Sequence, residues 1–387
     1  MKTGNPEGMS YEGLREMARR RLPKGIFEYI DRGTEDETAL AYNRRCFDRL
    51  RMRPKILVDL SSRTAEIELF GRKQALPLLV SPTAATGLVR HKGEIDLARA
   101  AAKANIPFCA ATEAITAFEE VVAATKGNIW FQLYFWKDRR LSYGLVDRAR
   151  EAGIDTLLVT VDTAVLPKRE YNLRNGYDVP IRPSLRNLCD VATHPRWFVD
   201  VLLRYLLNGG MPRHGNYPEV YRRPVTGGKI ADAINLDATV AWDDIAELRR
   251  YWKGRLVIKG ILRVEDALTA AAHGVDGIIV SNHGGRNFDS AVAPVEVLPE
   301  IADRIGERLV ILADSGIRRG SDVVKLLALG AKAVLVGRAF IYGTAVGGEA
   351  GAADAIHMLG DEIDRTMAFL GCRSVQEIGP DLLWKAD

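Results

Sequence analysis

The sequence has no run of about 18 or more apolar residues, the length at which a membrane-spanning helix becomes a candidate. The stretch from Met1 to Glu16 is polar and lacks the apolar core of a secretory signal. We therefore expect neither a spanning helix nor export, and we predict a cytoplasmic location.

Cysteine is scarce, and positive and negative charges are nearly balanced. The four cysteines, Cys46, Cys109, Cys189 and Cys372, are far apart and form no C-x-x-C pair, which indicates neither a metal site nor a disulfide framework. Lysine and arginine number 54 against 50 aspartates and glutamates, a net charge of +4. So small a surplus does not favour nucleic acid as a partner.

What the sequence does contain is a rhythm of short apolar strands and helical stretches that begins at Pro77. The predicted strands are 78–81, 108–111, 129–134, 156–162, 256–259, 277–281, 309–313 and 333–336. Alanine- and leucine-rich segments between most of them are long enough for crossover helices. Eight such units predict an α/β fold, a closed (β/α)₈ TIM barrel, with an open doubly wound sheet as the alternative.

The whole chain, 1–387, is predicted to be a single domain. Residues 1–75 form an N-terminal cover with helices at 11–21 and 25–30 and a hairpin edge at 67–71. The barrel spans 76–350, and 351–387 form a C-terminal helix and tail. An insertion at 163–242 follows the fourth strand, since this interval is far longer than an ordinary loop. It contains seven prolines, Pro167, Pro180, Pro183, Pro195, Pro212, Pro218 and Pro224.

Polar residues collect where the predicted strands end, which is where TIM barrels hold their active sites. They are Ser81 to Ala84, Gln132 and Tyr134, Thr160 to Asp162, Lys259, and His283 with Arg286. His283 can take a proton near neutral pH, and Arg286 carries a charged fork suited to a carboxylate. A solvated turn with an incidental histidine is the alternative for His283 alone.

The last two strands run into loops that suit an anion. These loops are Asp314 to Gly320 and Gly337-Arg338. Glycine lets backbone N–H groups approach an anion, and the loops after strands 7 and 8 are the usual phosphate site of this fold. A phosphorylated ligand is predicted, although a Gly-Arg pair alone is a weak signal.

Taken together, these residues resemble the FMN-dependent 2-hydroxy acid dehydrogenases and oxidases, from about residue 22 to residue 372. The most specific motifs are Ser281–Arg286, Lys259-Gly260, Phe131–Tyr134, Thr160–Asp162 and Arg318–Gly320. The runs at 194–197 and 364–366 look most like the membrane-associated bacterial mandelate and lactate dehydrogenases.

The resemblance implies a role for each site residue. His283 would be the base, Asp162 would stabilise its imidazolium, Tyr134 would bind the reacting oxygen, and Lys259 would stabilise the reduced flavin. Whether the proton leaves carbon or the hydroxyl stays open. Substrate would be bound by Tyr29, Tyr134, Arg169 and Arg286. FMN would be bound by Pro82, Thr83, Ala84, Thr112, Gln132, Thr160, Lys259, Ser281, Asp314, Gly316, Arg318, Gly337 and Arg338.

Two positions depart from the family pattern. Ala111 followed by Thr112 stands where a serine is common, so one flavin hydrogen bond is either missing or supplied by Thr112. Glu113 stands where an aromatic or small apolar residue is usual in the substrate pocket. It either points to solvent or recognises a polar or basic substituent.

The predicted reaction is FMN-dependent oxidation of an (S)-2-hydroxy acid, mandelate- or lactate-like, to the 2-oxo acid, with a quinone or similar acceptor. One alternative is an oxidase that uses O₂ and makes H₂O₂. Another is a non-redox, phosphate-binding TIM barrel. The expected assembly is a homotetramer.

The insertion is also expected to bind the inner face of the cell membrane peripherally. Its apolar run from Trp197 to Leu207 would be roughly 16 Å long as a helix, too short to cross about 30 Å of hydrocarbon. Trp197, Phe198, Leu202, Leu206 and Leu207 would enter the interface, with Arg196, Arg204, Arg213, Arg222 and Arg223 facing headgroups. The alternative is a helix packed on the barrel or on a neighbouring subunit.

Overall fold

Three helices open the part of the chain that the structure describes, residues 9–177, 181 and 184–384 of a computed structural model. They are α1 (Tyr11–Arg21), α2 (Lys24–Asp31) and α3 (Thr38–Arg49). The Ser10 hydroxyl accepts a hydrogen bond from the Gly13 backbone N–H and caps α1. Pro23, at the start of α2, separates the first two helices. Pro180 and Pro183 of the predicted insertion lie outside the described residues.

A small hairpin follows these helices, as the sequence predicts. After β1 (Arg51–Met52), β2 (Ile67–Leu69) pairs with β3 (Arg72–Gln74) in antiparallel fashion. Phe70 and Gly71 join them with φ of 51° and 77°. Two consecutive positive φ values give the tight turn whose twist suits a hairpin.

The first half of the barrel alternates strands with helices. Its elements are β4 (Leu78–Val80), α4 (Gly93–Lys103), β5 (Phe108–Ala111), α5 (Phe118–Ala124), β6 (Ile129–Leu133), α6 (Arg139–Glu151) and β7 (Thr156–Thr160). The insertion then contributes α7 (Glu170–Asn175), α8 (Leu185–Ala192), α9 (Pro195–Trp197) and α10 (Arg204–Leu207), with a π-helical stretch, Phe198–Leu203, joining the last two.

The second half resumes the rhythm. It comprises α11 (Trp242–Tyr251), β8 (Arg255–Ile261), α12 (Val264–Ala272), β9 (Gly277–Val280), α13 (Pro294–Ile305), β10 (Val310–Ala313), α14 (Gly320–Ala328), β11 (Ala333–Val336) and α15 (Arg338–Phe369). Gly348, with φ of 61°, breaks α15 into two parts. A last short strand, β12 (Leu383–Trp384), pairs with β1.

Strands β4 to β11 form one closed parallel barrel, because β11 pairs with β4 as well as with β10. This confirms the predicted TIM barrel and excludes the open sheet. Leu158, Val257 and Ile279 are among the strand residues with no exposed surface. Strands of a parallel sheet are covered on both faces, which explains why each predicted strand is an almost unbroken apolar run. No helix in the described part of the chain has the length and apolar character needed to cross a membrane.

Candidate active site

A cavity of about 950 Å³ opens at the carboxyl ends of the barrel strands. Helices α1 and α2 and the insertion close its sides. Most of the predicted site residues line it, namely Tyr29, Pro82, Thr83, Ala84, Gln132, Tyr134, Arg169, Lys259, His283, Arg286, Asp314, Gly316, Arg318, Gly337 and Arg338. The others, Thr112, Thr160, Asp162 and Ser281, lie behind its wall.

His283 stands at the centre of this wall, directly after β9. Its φ of 57° is a left-handed conformation that a residue with a side chain rarely adopts. The backbone N–H of His283 donates to Ser281 Oγ over 3.0 Å, which holds the turn. Its Nδ1 lies 2.8 Å from Asp162 Oδ1. The imidazole is therefore fixed on one side and keeps 22% of its side-chain surface accessible.

The charges of this pair follow from their surroundings. Burial lowers the pKa of His283 below its usual value, and the neighbouring Asp162 opposes that shift only in part. Burial alone would raise the pKa of Asp162, but the charges of His283 and Lys259 bring it down to about 2. At neutral pH the carboxylate is charged and the imidazole is neutral. Nδ1 then donates to Asp162, and Nε2 is left as a proton acceptor.

A bulge in β8 makes room for Asp162. The register between β8 and β9 shifts between Lys259 and Ile261. Gly260, at the bulge, has φ of 110°, and a Cβ there would lie 2.5 Å from Cβ of Asp162. Only glycine fits. Asn287 Nδ2 donates to the Asp162 backbone carbonyl over 3.0 Å and to Oδ1 of its carboxylate over 3.3 Å.

Three arginines, Arg169, Arg286 and Arg338, converge beside His283. None of them has a carboxylate within 4.0 Å in residues 9–177, 181 and 184–384. Instead they donate to backbone carbonyls: Arg169 to that of Arg286 over 3.2 Å, and Arg286 to that of Arg32 over 2.9 Å. Such a cluster of unneutralised positive charge favours an anionic ligand.

The surroundings of Arg286 disfavour its positive charge. Burial lowers its pKa to about 10, and the charge of Arg169 adds to the effect. It remains protonated at neutral pH, at a cost in free energy that a bound carboxylate would offset. The ring of Tyr29 lies 5.4 Å from the Arg286 guanidinium carbon and supplies partial compensation through a cation–π contact.

Lys259 forms a buried charged group next to this cluster. Its ammonium donates to Ser281 Oγ over 2.8 Å and lies 3.1 Å from Asp314 Oδ2. Burial alone would lower the pKa of Lys259, but the carboxylates of Asp314 and Asp162 outweigh it and raise the pKa. Lys259 is thus a permanent positive charge in the cavity wall.

An anion site lies at the ends of β10 and β11. The backbone N–H groups of Gly316, Gly337 and Arg338 have no acceptor among the described residues, and all three residues line the cavity. Helix α15 begins at Arg338, so its positive end also points to this region. Arg318, predicted for the same site, lines the cavity but donates to Glu12 Oε1 over 3.0 Å.

The cavity wall between Lys259 and the anion site contains Gln132, whose side-chain amide is only partly hydrogen-bonded. The Gln132 side-chain oxygen accepts from the Thr112 N–H over 3.2 Å, and its buried Nε2 has no partner of the residues that the structure describes. An unmatched buried donor fits a carbonyl oxygen of a ligand. The Thr112 hydroxyl donates to the Gln132 backbone carbonyl, so it orients Gln132 and does not face the cavity.

These features fit FMN. The three free backbone N–H groups suit its phosphate, the amide of Gln132 suits a ring carbonyl, and the charge of Lys259 suits a ring that becomes anionic on reduction. The cavity has room for the cofactor and a small substrate.

Sequence reasoning missed several residues that shape this site. Glu94, fully buried at the start of α4, accepts from Gly87 N–H, Ile115 N–H and the Thr116 hydroxyl at 2.8, 3.1 and 2.8 Å. It ties the loops after β4 and β5 together. No sequence signal distinguishes it from an ordinary acidic residue in the first turn of a helix.

The insertion differs from expectation in one respect. Trp197, predicted to enter a membrane interface, is 5% exposed, and its indole N–H donates to the Leu88 carbonyl over 2.7 Å. That prediction is wrong, because the residue packs on the barrel. Leu202 is also partly buried against the core. Phe198, Leu206 and Leu207 are exposed.

The sequence is similar to those of known proteins over most of its length. Residues 18–385 match the family model described as FMN-dependent dehydrogenase. The (S)-mandelate dehydrogenase of Pseudomonas putida is 40% identical over 372 residues, covering 96% of this chain and 93% of the relative. The L-lactate dehydrogenase of Pectobacterium atrosepticum is 40% identical over 371 residues, 95% of each chain.

Solved structures agree with the sequence relatives. A crystal structure described as that of the monotopic membrane protein (S)-mandelate dehydrogenase superposes with a TM-score of 0.88 at 38% identity, covering 97% of this chain and 99% of the other. A mandelate oxidase variant bound to (S)-mandelic acid superposes with a TM-score of 0.80 at 34% identity, covering 97% of each.

Proposed function

The chain belongs to the FMN-dependent dehydrogenase family, and from this premise we propose that its cavity oxidises an (S)-2-hydroxy acid to the 2-oxo acid. The observation that supports this most is the juxtaposition of a neutral, oriented imidazole with unneutralised arginines in one cavity. A base and an anion clamp are what oxidation of a hydroxy carboxylate requires of a protein.

Arg169 and Arg286 bind the substrate carboxylate in this proposal. The guanidinium forks lie beside His283, so a bound carboxylate brings the carbinol carbon towards Nε2 of the imidazole. Tyr29 and Tyr134, which line the same wall, donate hydroxyl hydrogen bonds to the carboxylate and to the reacting oxygen.

His283 Nε2 then accepts the proton that the substrate loses. The imidazolium that forms is stabilised by the charged carboxylate of Asp162, 2.8 Å from Nδ1. FMN, when bound, supplies the acceptor for the two electrons. Lys259, together with Gln132, would hold its ring, and Gly316, Gly337 and Arg338 its phosphate.

A spectrum of the purified protein tests this function. We expect flavin absorption, release of FMN on denaturation, and anaerobic bleaching by members of a panel of 2-hydroxy acids. A colourless protein, or recovery of FAD or NAD, would contradict the cofactor assignment and revive the non-redox barrel.

The electron acceptor is the next part of the proposal. We infer a quinone, because the insertion that lines the cavity also carries the exposed apolar helices described below. The likeness to a mandelate oxidase favours O₂ as the second candidate. Reoxidation rates of the reduced protein with a soluble quinone and with O₂, together with assay of H₂O₂, decide between them.

Peripheral membrane binding belongs to the same proposal. Exposed apolar side chains cluster on α8 and on the helical run through α10, namely Leu185, Leu188, Phe198, Val199, Leu206 and Leu207. Arg196 and Arg204 are exposed on the same run. Apolar side chains flanked by arginine suit an anionic lipid surface.

Sedimentation with vesicles that contain anionic lipid tests this surface. We expect the intact protein to sediment at low salt, and the triple variant Phe198→Gln, Leu206→Gln, Leu207→Gln to stay in the supernatant with flavin reduction intact. Leu57→Gln, at a fully exposed position outside the insertion, is the matched control. Intact protein that remains in the supernatant would rule out the membrane surface.

The homotetramer stays a prediction that light scattering can check. The measured mass of the purified protein should be that of four chains.

A further inference from the structure

One polar group in the cavity wall has no role in the proposed proton transfer. It consists of Glu113, in the loop after β5, and His214 and Tyr217, in the insertion. The cavity wall of the insertion is otherwise rich in apolar side chains, including Val225, Ile230 and Ile234. A carboxyl group in such surroundings requires an explanation.

The insertion segment 214–217 is held firmly against the loop after β5. Asn216 donates to the Ala111 carbonyl over 2.8 Å and accepts from the Phe118 N–H over 2.9 Å. The Gly215 N–H donates to the Ala114 carbonyl over 2.9 Å, and a Cβ on Gly215 would lie 2.4 Å from the backbone. The side chains that flank Gly215 therefore have fixed positions.

The hydrogen bonds within the group leave two acceptors free. The Tyr217 hydroxyl donates to Glu113 Oε2 over 2.5 Å, which uses its only proton. His214 Nδ1 lies 3.1 Å from the Glu113 carbonyl and 3.6 Å from Glu113 Oε2, so the tautomer that carries its proton on Nδ1 suits these two acceptors and leaves Nε2 as an acceptor. Glu113 Oε1 and His214 Nε2 have no hydrogen bond within the described part of the chain.

The group also adjoins the proposed substrate site. Burial raises the pKa of Tyr134, and the charges of Asp162 and Glu113 raise it further. Glu113 and Tyr134 also line the same cavity. The Ala85 N–H donates to the Glu113 carbonyl over 3.3 Å, which places the group next to the loop of Ala84.

We propose that Glu113, His214 and Tyr217 select 2-hydroxy acids whose side chain is an apolar body that ends in a hydrogen-bond donor, such as a phenol. This inference rests on the proposed function and adds the substrate class. A substrate side chain without a donor would displace water from Glu113 Oε1 and His214 Nε2, and both acceptors would then lack a hydrogen bond. A site built for a donor rejects an analogue that lacks it for this reason.

Two ring-substituted substrates of similar size and their unsubstituted parent test the selection. In anaerobic flavin reduction, we expect kcat/KM for 4-hydroxymandelate to exceed that for 4-methylmandelate and for mandelate by about 10- to 100-fold, mainly through KM. The dissociation constants of 4-hydroxybenzoylformate and 4-methylbenzoylformate, measured from the flavin spectrum, should differ by a similar factor.

Glu113→Gln identifies the group responsible. The amide oxygen can still accept from Tyr217, so packing is kept while the charge is lost. We expect the ratio of kcat/KM for 4-hydroxymandelate to that for 4-methylmandelate to fall by about tenfold. Glu68→Gln, at an exposed position on β2, should leave the preference as it is.

The results that would contradict the substrate selection differ from the result that would contradict the proposed function. Equal use of the three substrates by the unaltered protein would overturn the selection and leave the proposed function standing. The same preference in Glu113→Gln would also overturn it. Equal losses for all three substrates with a lowered melting temperature would show that Glu113 only holds the insertion. If no 2-hydroxy acid reduced the flavin, both proposals would fail.

Discussion

The strand ends of the barrel and the insertion after β7 line one cavity, but they position their side chains by different means. Asp162 and His283 follow strands, and Lys259 lies near the end of one, and the parallel ladder sets the places of these strands. His214 and Tyr217 are placed by hydrogen bonds to a loop from a distant part of the sequence. The first set can be located from strand periodicity, and the second cannot.

The difference also separates two kinds of chemistry. The strand ends carry the base and Arg286, which any 2-hydroxy acid would need, and only Arg169 of the proposed carboxylate clamp comes from the insertion. The insertion supplies apolar wall, the side chains of His214 and Tyr217 that face Glu113, and an exposed apolar surface. A rigid barrel with a variable insertion allows substrate choice and location to change while the reaction stays the same.

The largest effect is expected at the strand ends, from His283→Asn. Asparagine cannot accept the proton, so turnover should fall by about 10²–10⁴-fold while FMN and vesicle binding are retained. Stopped-flow flavin reduction and the visible spectrum measure the two properties.

A fall of less than tenfold would require another base. Phe198→Gln, in the exposed part of the insertion, is the matched control and should reduce the flavin at the normal rate.

A smaller effect at the strand ends is expected from Arg286→Lys. Charge is conserved, but an ammonium cannot bind a carboxylate through two parallel hydrogen bonds or reach the Arg32 carbonyl in the same way. We expect kcat/KM to fall by about 10- to 100-fold, in line with the loss of a charge-assisted hydrogen bond. Arg140→Lys, on an exposed arginine of α6, should leave kcat/KM unchanged. Unchanged kcat/KM in Arg286→Lys would remove this residue from the carboxylate clamp.

The fold was predictable because parallel strands are buried on both faces and leave apolar runs in the sequence. All eight barrel strands begin and end within two residues of their predicted bounds, and β8 runs two residues beyond its predicted end, to Ile261, through the bulge at Gly260. The bulge at Gly260 makes room for the side chain of Asp162, which follows a different strand, so the bulge depends on tertiary contacts. Periodicity has no means of showing it.

The candidate site was predictable only where motif residues follow strands. The pairing of His283 with Asp162 was inferred from resemblance, and the structure gives it a distance. Glu94 and Asn216 were missed because each acts through loops brought together by folding. Trp197 was misplaced because an apolar run does not reveal which of its side chains faces the barrel.

The pH dependence of kcat/KM tests the strand-end set directly. A base must be unprotonated to act, and burial lowers the pKa of His283 below the usual 6.5. We expect kcat/KM to be level at neutral pH and to fall about tenfold per pH unit once pH drops below that lowered pKa. Asp162, whose pKa is about 2, stays charged throughout this range. An acid limb with a midpoint above 6.5 would contradict the neutral imidazole.

The smallest effects should arise within the insertion, where a buried and an exposed residue of one helical run can be compared. Trp197→Phe removes the donor to the Leu88 carbonyl and leaves that carbonyl without a partner, so the free energy of unfolding should fall by about 1–3 kcal/mol. Leu207 is 75% exposed, and Leu207→Gln should change that free energy by less than about 0.5 kcal/mol. Denaturant unfolding of the two variants measures both values. Equal losses would mean that Leu207 is covered in solution, by a neighbouring subunit and not by lipid, because no membrane is present in that measurement.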